Sequence, residues 1–173
     1  MACTAIVQGY EHDCLDSLGG IKELYVTEFE NVPQANITAS SGTISAMSTS
    51  GSEKFYTLQV RKKTAQVTQA IVTSPENGTQ FIEQTVTFNL HKMTAALRYT
   101  VESLAKNRLM IIAKDNNDKI YLLGQTTGLD AGDTTGDSGK AFGDLNGYTL
   151  TFKGMEPEQA SYMAQSILDS LLV

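Results

Sequence analysis

The chain has 173 residues, 41% of them apolar and 18% charged, with three prolines, which suits one globular domain over residues 1–173 and excludes a disordered chain. Nineteen acids against 13 bases give a formal net charge of -6; that excludes a general nucleic-acid coat or an anionic-membrane binder, because non-specific phosphate binding needs clustered Lys and Arg. Ser and Thr make 33 of the residues and Trp is absent, a balance that favours strands with polar outer faces over a pocket lined with aromatics.

The opening Met1–Val7 has neither a basic leader nor a long apolar run, and no segment nears the ~18 apolar residues of a membrane span. The expectation is a protein assembled in a cytoplasm, without membrane insertion, whose Cys3 and Cys14 are thiols rather than a bridge. Residues 1–20 read as an arm ending in the turn cluster Asp16-Ser17-Leu18-Gly19-Gly20, followed by a strand over Ile21–Phe29. The small polar stretch Ile37–Ser52 reads either as a thin strand or as a linker. Lys54–Arg61 alternates as a strand, with Tyr56, Leu58 and Val60 on one face. Ala65–Thr73 is a second strand, Ser74–Gly78 a turn, and Thr79–Leu90 a third strand with Ile82, Val86, Phe88 and Leu90 on one side. Three successive strands imply an antiparallel sheet.

The period then changes. Asn89 is positioned to cap a helix over His91–Lys106, where Met93, Leu97, Val101 and Leu104 recur at helical spacing and Glu102 and Lys106 form an i,i+4 pair. Leu109–Ala113 and Ile120–Leu123 read as a hairpin about the polar turn Asp115–Asp118. Residues 124–147 hold seven glycines and four aspartates and read as a long loop, a length that ordered domains reserve for a functional or mobile segment. Tyr148–Phe152 alternates again, and Glu156-Pro157-Glu158 marks the start of a closing helix through Met163, Ile167 and Leu171. No repeat or linker divides the chain.

Little in the sequence points to catalysis. The two histidines, His12 and His91, lie in no recognisable nucleophile or triad setting. His12 and Cys14 offer too few soft ligands for zinc. Gly139-Lys140 resembles a phosphate loop, but Thr134 stands five residues before Gly139 in place of a glycine, and Ala141 stands where a magnesium-binding hydroxyl belongs. Asp115–Asp118 lacks the closing Glu of a calcium loop, so a polar turn is the better reading. Asp130, Asp133, Asp137 and Asp144 form an acidic glycine-rich series that suits solvation better than a cation site. Asn36 and Asn77 match glycosylation acceptors but have no secretory context. We expect no enzyme, no cofactor and no metal.

The charge distribution is the remaining signal. Residues 11–30 hold six acids against one Lys, and residues 115–144 hold six Asp against two Lys. Against these, residues 53–63 carry Arg61, Lys62, Lys63 and Lys54 with one Glu, and residues 91–108 carry four bases with one Glu. Opposite signs on separate elements can set the register of identical subunits. Asp130, Asp133, Asp137, Lys140 and Asp144 in the loop, and Arg61, Lys62 and Lys63 in the basic segment, are therefore the candidate inter-subunit residues.

Three stretches resemble the tail-tube family of long-tailed bacteriophages and its relatives in contractile injection systems: Asp16–Val26, the helix and hairpin over Met93–Leu123, and Gly147–Glu158. The likeness implies a mainly β, α+β fold: an antiparallel β-barrel or sandwich flanked by one amphipathic helix, with a long loop at 124–147 and a short closing helix. It further implies a virion structural protein whose copies close edge to edge into hexameric rings that stack into a tail tube for DNA passage, in company with tape-measure and terminator or connector proteins. DNA would transit without specific binding, past an acidic subunit that repels it. The loop and the arm before Gly20 would supply ring-to-ring contacts. A neck or connector ring of the same fold, and a head-decoration or host-binding module, are the competing readings.

Overall fold

The structure is a computed structural model that describes Gly9, Tyr10 and residues 15–172. The readings made for Cys3, His12, Cys14 and the opening residues lie outside the described residues. In chain order the elements are β1 (Ile21–Glu28), β2 (Ile37–Ser40), β3 (Thr43–Met47), β4 (Tyr56–Leu58), β5 (Ala65–Ser74), β6 (Thr79–His91), α1 (Ala95–Lys106), β7 (Leu109–Asp115), β8 (Ile120–Leu123), β9 (Asp130–Ala131), β10 (Thr135–Asp137), β11 (Gly147–Glu156), β12 (Ser161–Met163) and α2 (Gln165–Leu171).

Two sheets result. One has seven strands in the order β2-β3-β12-β8-β7-β1-β4, and the other runs β10-β11-β6-β5 with β9 also on β11. The fold is thus mainly β with two helices. Among the named strands every pair is antiparallel except β12 with β3, and a single parallel bridge joins Phe55 to Leu172. Among the described residues neither sheet closes into a barrel, and both end in free edges.

The apolar run in β7 explains the layering. Leu109, Ile111 and Ala113 point into one core while Met110 and Ile112 point into another, as expected for a strand buried on both faces. The first core joins the two sheets through Leu24, Val26, Val86, Phe88, Leu150 and Phe152, and Val101 of α1 enters it. Phe88 and Phe152 stack there with ring centroids 6.0 Å apart. The second core lies on the far face of the seven-stranded sheet, where Leu168 and Leu171 of α2 meet Phe55, Ile44 and Ile120. Each such fully buried side chain contributes roughly 1.5–3 kcal/mol.

Several expectations are corrected. Of the two readings left open for Ile37–Ser52, the strand holds over Ile37–Met47, as the hairpin of β2 and β3 with Ser41 and Gly42 at positive φ in its turn. The strand expected over Lys54–Arg61 shrinks to β4 and joins β1 rather than β5, because Phe55, on the face opposite Leu58, fills the second core. Asn89 does not cap the helix: it stays in β6, where Asn89 pairs with Thr149 and His91 with Gly147. Thr94 is the cap, its Oγ1 accepting from the Leu97 amide at 3.2 Å, and Met93 lies outside the helix. The closing helix does not start at Glu156-Pro157-Glu158. β11 runs on to Glu156, Met163 belongs to β12, and α2 starts at Gln165. Segment 124–147 is no structureless loop, since β9 and β10 pair with β11.

Candidate assembly interface

The first feature is the free edge of the smaller sheet. β5 pairs through all ten residues with β6 and, among the described residues, has no strand on its other side. From Thr64 to His91 the sequence contains no Lys or Arg, and its charges are Glu76 and Glu83. The charged or proline-bearing devices that usually blunt a sheet edge are therefore missing along β5.

The direction of the unpaired groups follows from two hydrogen bonds. Asn89 N–H donates to the Thr64 carbonyl at 3.0 Å, and Lys92 N–H donates to the Asn146 carbonyl at 2.8 Å. Antiparallel ladders alternate hydrogen-bonded and open pairs, so both bonds place Gln66, Thr68, Ala70 and Val72 in bonded pairs with β6. The amides and carbonyls of Val67, Gln69, Ile71 and Thr73 then face the open edge. The opposite edge of this sheet is made by β9 and β10, which share one side of β11 between Gly147 and Lys153.

The outward face of the same sheet is the second feature. Gln66, Thr68, Thr85, Thr87, Thr149 and Thr151 share it by register, and the Thr87 and Thr151 hydroxyls lie 3.3 Å apart. Charges there come in opposite pairs: Lys153 with Glu83 at 3.9 Å and Arg108 with Asp130 at 3.3 Å. These four residues border an open groove of about 580 Å³ with Thr127 and Met155. The face is polar and close to neutral, with threonines opposed across the strands.

The acidic loop residues separate into two places. Asp130, on β9, belongs to the groove and is tied to Arg108. Asp133 follows between β9 and β10, and Asp137 ends β10 opposite Gly147. Lys140 and Asp144 belong to a turn over residues 138–146, in which Asp144 Oδ2 accepts from the Lys140 and Ala141 amides at 2.9 and 2.8 Å. These two backbone donors, Ala141 first, hold the Asp144 carboxyl below its ordinary range. Asn146 anchors the turn, accepting from the Met93 amide at 3.2 Å. Phe142 stands at the tip, fully exposed.

Arg61, Lys62 and Lys63 form the turn into β5, closed by the Thr64 amide and hydroxyl on the Arg61 carbonyl. Because Thr64 opposes Asn89, while His91 opposes Gly147 and Gly147 opposes Asp137, this turn and the 138–146 turn occupy the same end of the sheet. The basic segment and Asp137, Lys140 and Asp144 are thus brought to one end, and Asp130 is not. Sequence reading missed the β5 edge and Phe142. The absence of Lys and Arg from Thr64 to His91 was the available signal for the former.

Among the described residues no three His, Cys, Asp or Glu side chains gather as cation ligands. Asp115 acts as a turn former, with Oδ1 accepting from the Asn117 and Lys119 amides at 2.8 Å each. No helix among the described residues is long and apolar enough to cross a membrane. Comparison of the chain with protein-family models, with curated proteins and with solved structures returns no match.

Proposed function

We propose that this chain is a self-assembling virion subunit of the tail-tube type, whose copies join through the two free edges of the smaller sheet into a closed ring, the rings stacking into a conduit for DNA. The observation that carries this reading is the ten-residue, uncharged free edge of β5. A long unblunted edge is a hazard for a monomer and an asset for an assembly, since pairing it satisfies every exposed backbone group.

Strand direction supports the same reading. β10, β11, β6 and β5 alternate in direction, so β5 of one copy beside β10 of the next continues the antiparallel pattern unbroken around a ring. This contact uses different patches on the two partners, the kind that closes rings or propagates filaments. A barrel that one chain leaves open would then be completed by its neighbours. The outward face of threonine and glutamine would line the passage, wet and without a basic surface to hold DNA. A hexamer, and tape-measure and terminator partners, are what the tail-tube resemblance adds.

Electron microscopy and sedimentation of the purified protein test the reading, with Ile71→Pro as the deciding variant. Proline there removes an amide that faces the open edge while leaving the β6 ladder intact, and Ile71→Thr keeps the amide. Tubes or rings from the wild type and Ile71→Thr, with monomers from Ile71→Pro, are expected. Rings that never stack would favour a connector, and monomers throughout would favour a decoration or host-binding module.

A further inference from the structure

Along β6 the smaller sheet has two unlike ends. At the Thr79 end, β11 stops at Glu156 opposite Ile82, and β5 and β6 continue beyond it through the pairs Val72 with Phe81, Thr73 with Gln80 and Ser74 with Thr79. This two-stranded ribbon closes over Pro75–Gly78, exposes Val72, and bears one charge, Glu76, at its tip. At the His91 end, exposed Arg61, Lys62, Lys63, Lys92 and Lys140 outnumber Asp137 and Asp144, and Phe142 projects from the turn that Asp144 ties together.

The two ends lie about 40 Å apart at the ~3.3 Å rise of a strand, so they belong to different contacts. An isolated two-stranded ribbon is marginal in water and gains from a surface to lie on. A surface knob and a basic cluster at one end, with an acid-tipped ribbon at the other, make a head-to-tail contact that repeats without limit between copies translated along the strand. Complementary charge sets the register of such a contact.

We propose that the β5–β6 ribbon of one copy docks on the His91 end of a second copy, with Glu76 among Arg61, Lys62 and Lys63 and with Phe142 covering apolar surface of the ribbon, and that this is the axial contact between rings. The inference rests on the proposed ring for its setting, but the contact it names is separate from the ring edge.

Charge exchange and cross-linking test it. Glu76→Lys alone, and Lys62→Glu with Lys63→Glu, should each abolish tubes while rings remain, and all three changes in one chain should restore tubes. Phe142→Ser should leave rings that do not stack. In a chain with Cys3 and Cys14 replaced by Ser, Asn77→Cys combined with Gly143→Cys or with Lys62→Cys should give a disulfide ladder of many copies on mild oxidation, which neither single-cysteine chain gives. Rings or tubes with no ladder from either pair, or no rescue by the triple exchange, overturn the axial contact alone. A ladder without rings upholds it and overturns the ring, and a protein with neither overturns both.

Discussion

The carboxylate of Glu156 is held by Thr127, whose amide and hydroxyl both donate to Oε1, at 2.8 and 3.0 Å. The Thr126 amide adds 2.9 Å to Oε2, and Glu156 is only 2% exposed. A buried carboxylate persists where its lone pairs are filled, and here they are filled by the first residues of the 124–147 segment. Gln84 reinforces the junction, its Oε1 accepting from the Gly124 amide at 3.0 Å. Glu156→Ala strands these donors and should cost about 2–4 kcal/mol, whereas Glu156→Gln, which still accepts, should cost about half as much. Denaturant midpoints measure both. Equal losses would mean that a neutral acceptor contributes nothing here and that the charge alone holds the junction, whereas no loss in Glu156→Gln would mean that the charge contributes nothing.

Gly147 admits no side chain. A Cβ there would sit 2.1 Å from the Leu90 carbonyl oxygen and 3.0 Å from the His91 Cα, and backbone in a paired strand cannot give way as a flexible side chain does. Gly147→Ala should therefore part β11 from β6 at the end where the acidic turn and the basic turn meet. The expected loss is about 1–3 kcal/mol. Hydrogen exchange at the Lys92 amide, which donates to Asn146, should rise more than exchange in the middle of β6.

The fold was legible where burial and period agree. β6, with Ile82, Val86, Phe88 and Leu90 inward, and the β7–β8 hairpin stand where alternation and the Asp115 turn place them. Errors arose where tertiary pairing overrides local signals. Asn89 is a good cap by type, but β11 lies alongside and claims its backbone for the ladder, so the cap passes to Thr94. The glycines and aspartates of 124–147 look like open loop, yet Glu156 and Gln84, distant in sequence, supply the acceptors that order its start. The candidate site was legible only in part. Charge counts single out Arg61–Lys63 and the acidic loop, but only strand order shows that Asp137, Lys140 and Asp144 share an end with the basic segment, that Asp130 does not, and that β5 is an edge.

The phenols of Tyr25 and Tyr121 predict a fall of stability in alkali. Burial is the main cause that raises both phenols, to about 12 for Tyr121, where Asp115 and Tyr162 add to it, while for Tyr25 the hydrogen bond to Glu23 at 2.7 Å adds to burial. A phenol whose pKa is raised in the folded state stabilises it fully below the unfolded value near 10 and loses that contribution as pH rises through the folded value. Stability should accordingly decline above about pH 10. Tyr25→Phe and Tyr121→Phe should each flatten the decline, read from denaturant midpoints between pH 8 and pH 11. An unchanged slope in both variants would assign the alkaline loss to other groups.

Asp144 carries the opposite sign. Its carboxyl is fully exposed yet held below the ordinary range by the Ala141 and Lys140 amides. Such a group supports the folded turn above the ordinary carboxylate value and withdraws that support as pH falls through its lowered one. The amide resonances of Lys140 and Ala141 should therefore hold steady on acidification until below the usual carboxylate range, then move together with one shared midpoint. Asp144→Ala should shift both at neutral pH and abolish the transition, while leaving the amides of β6 in place. If rings of this protein stack through Phe142, the same acid step should disperse tubes into rings, and Asp144→Ala should give rings at every pH.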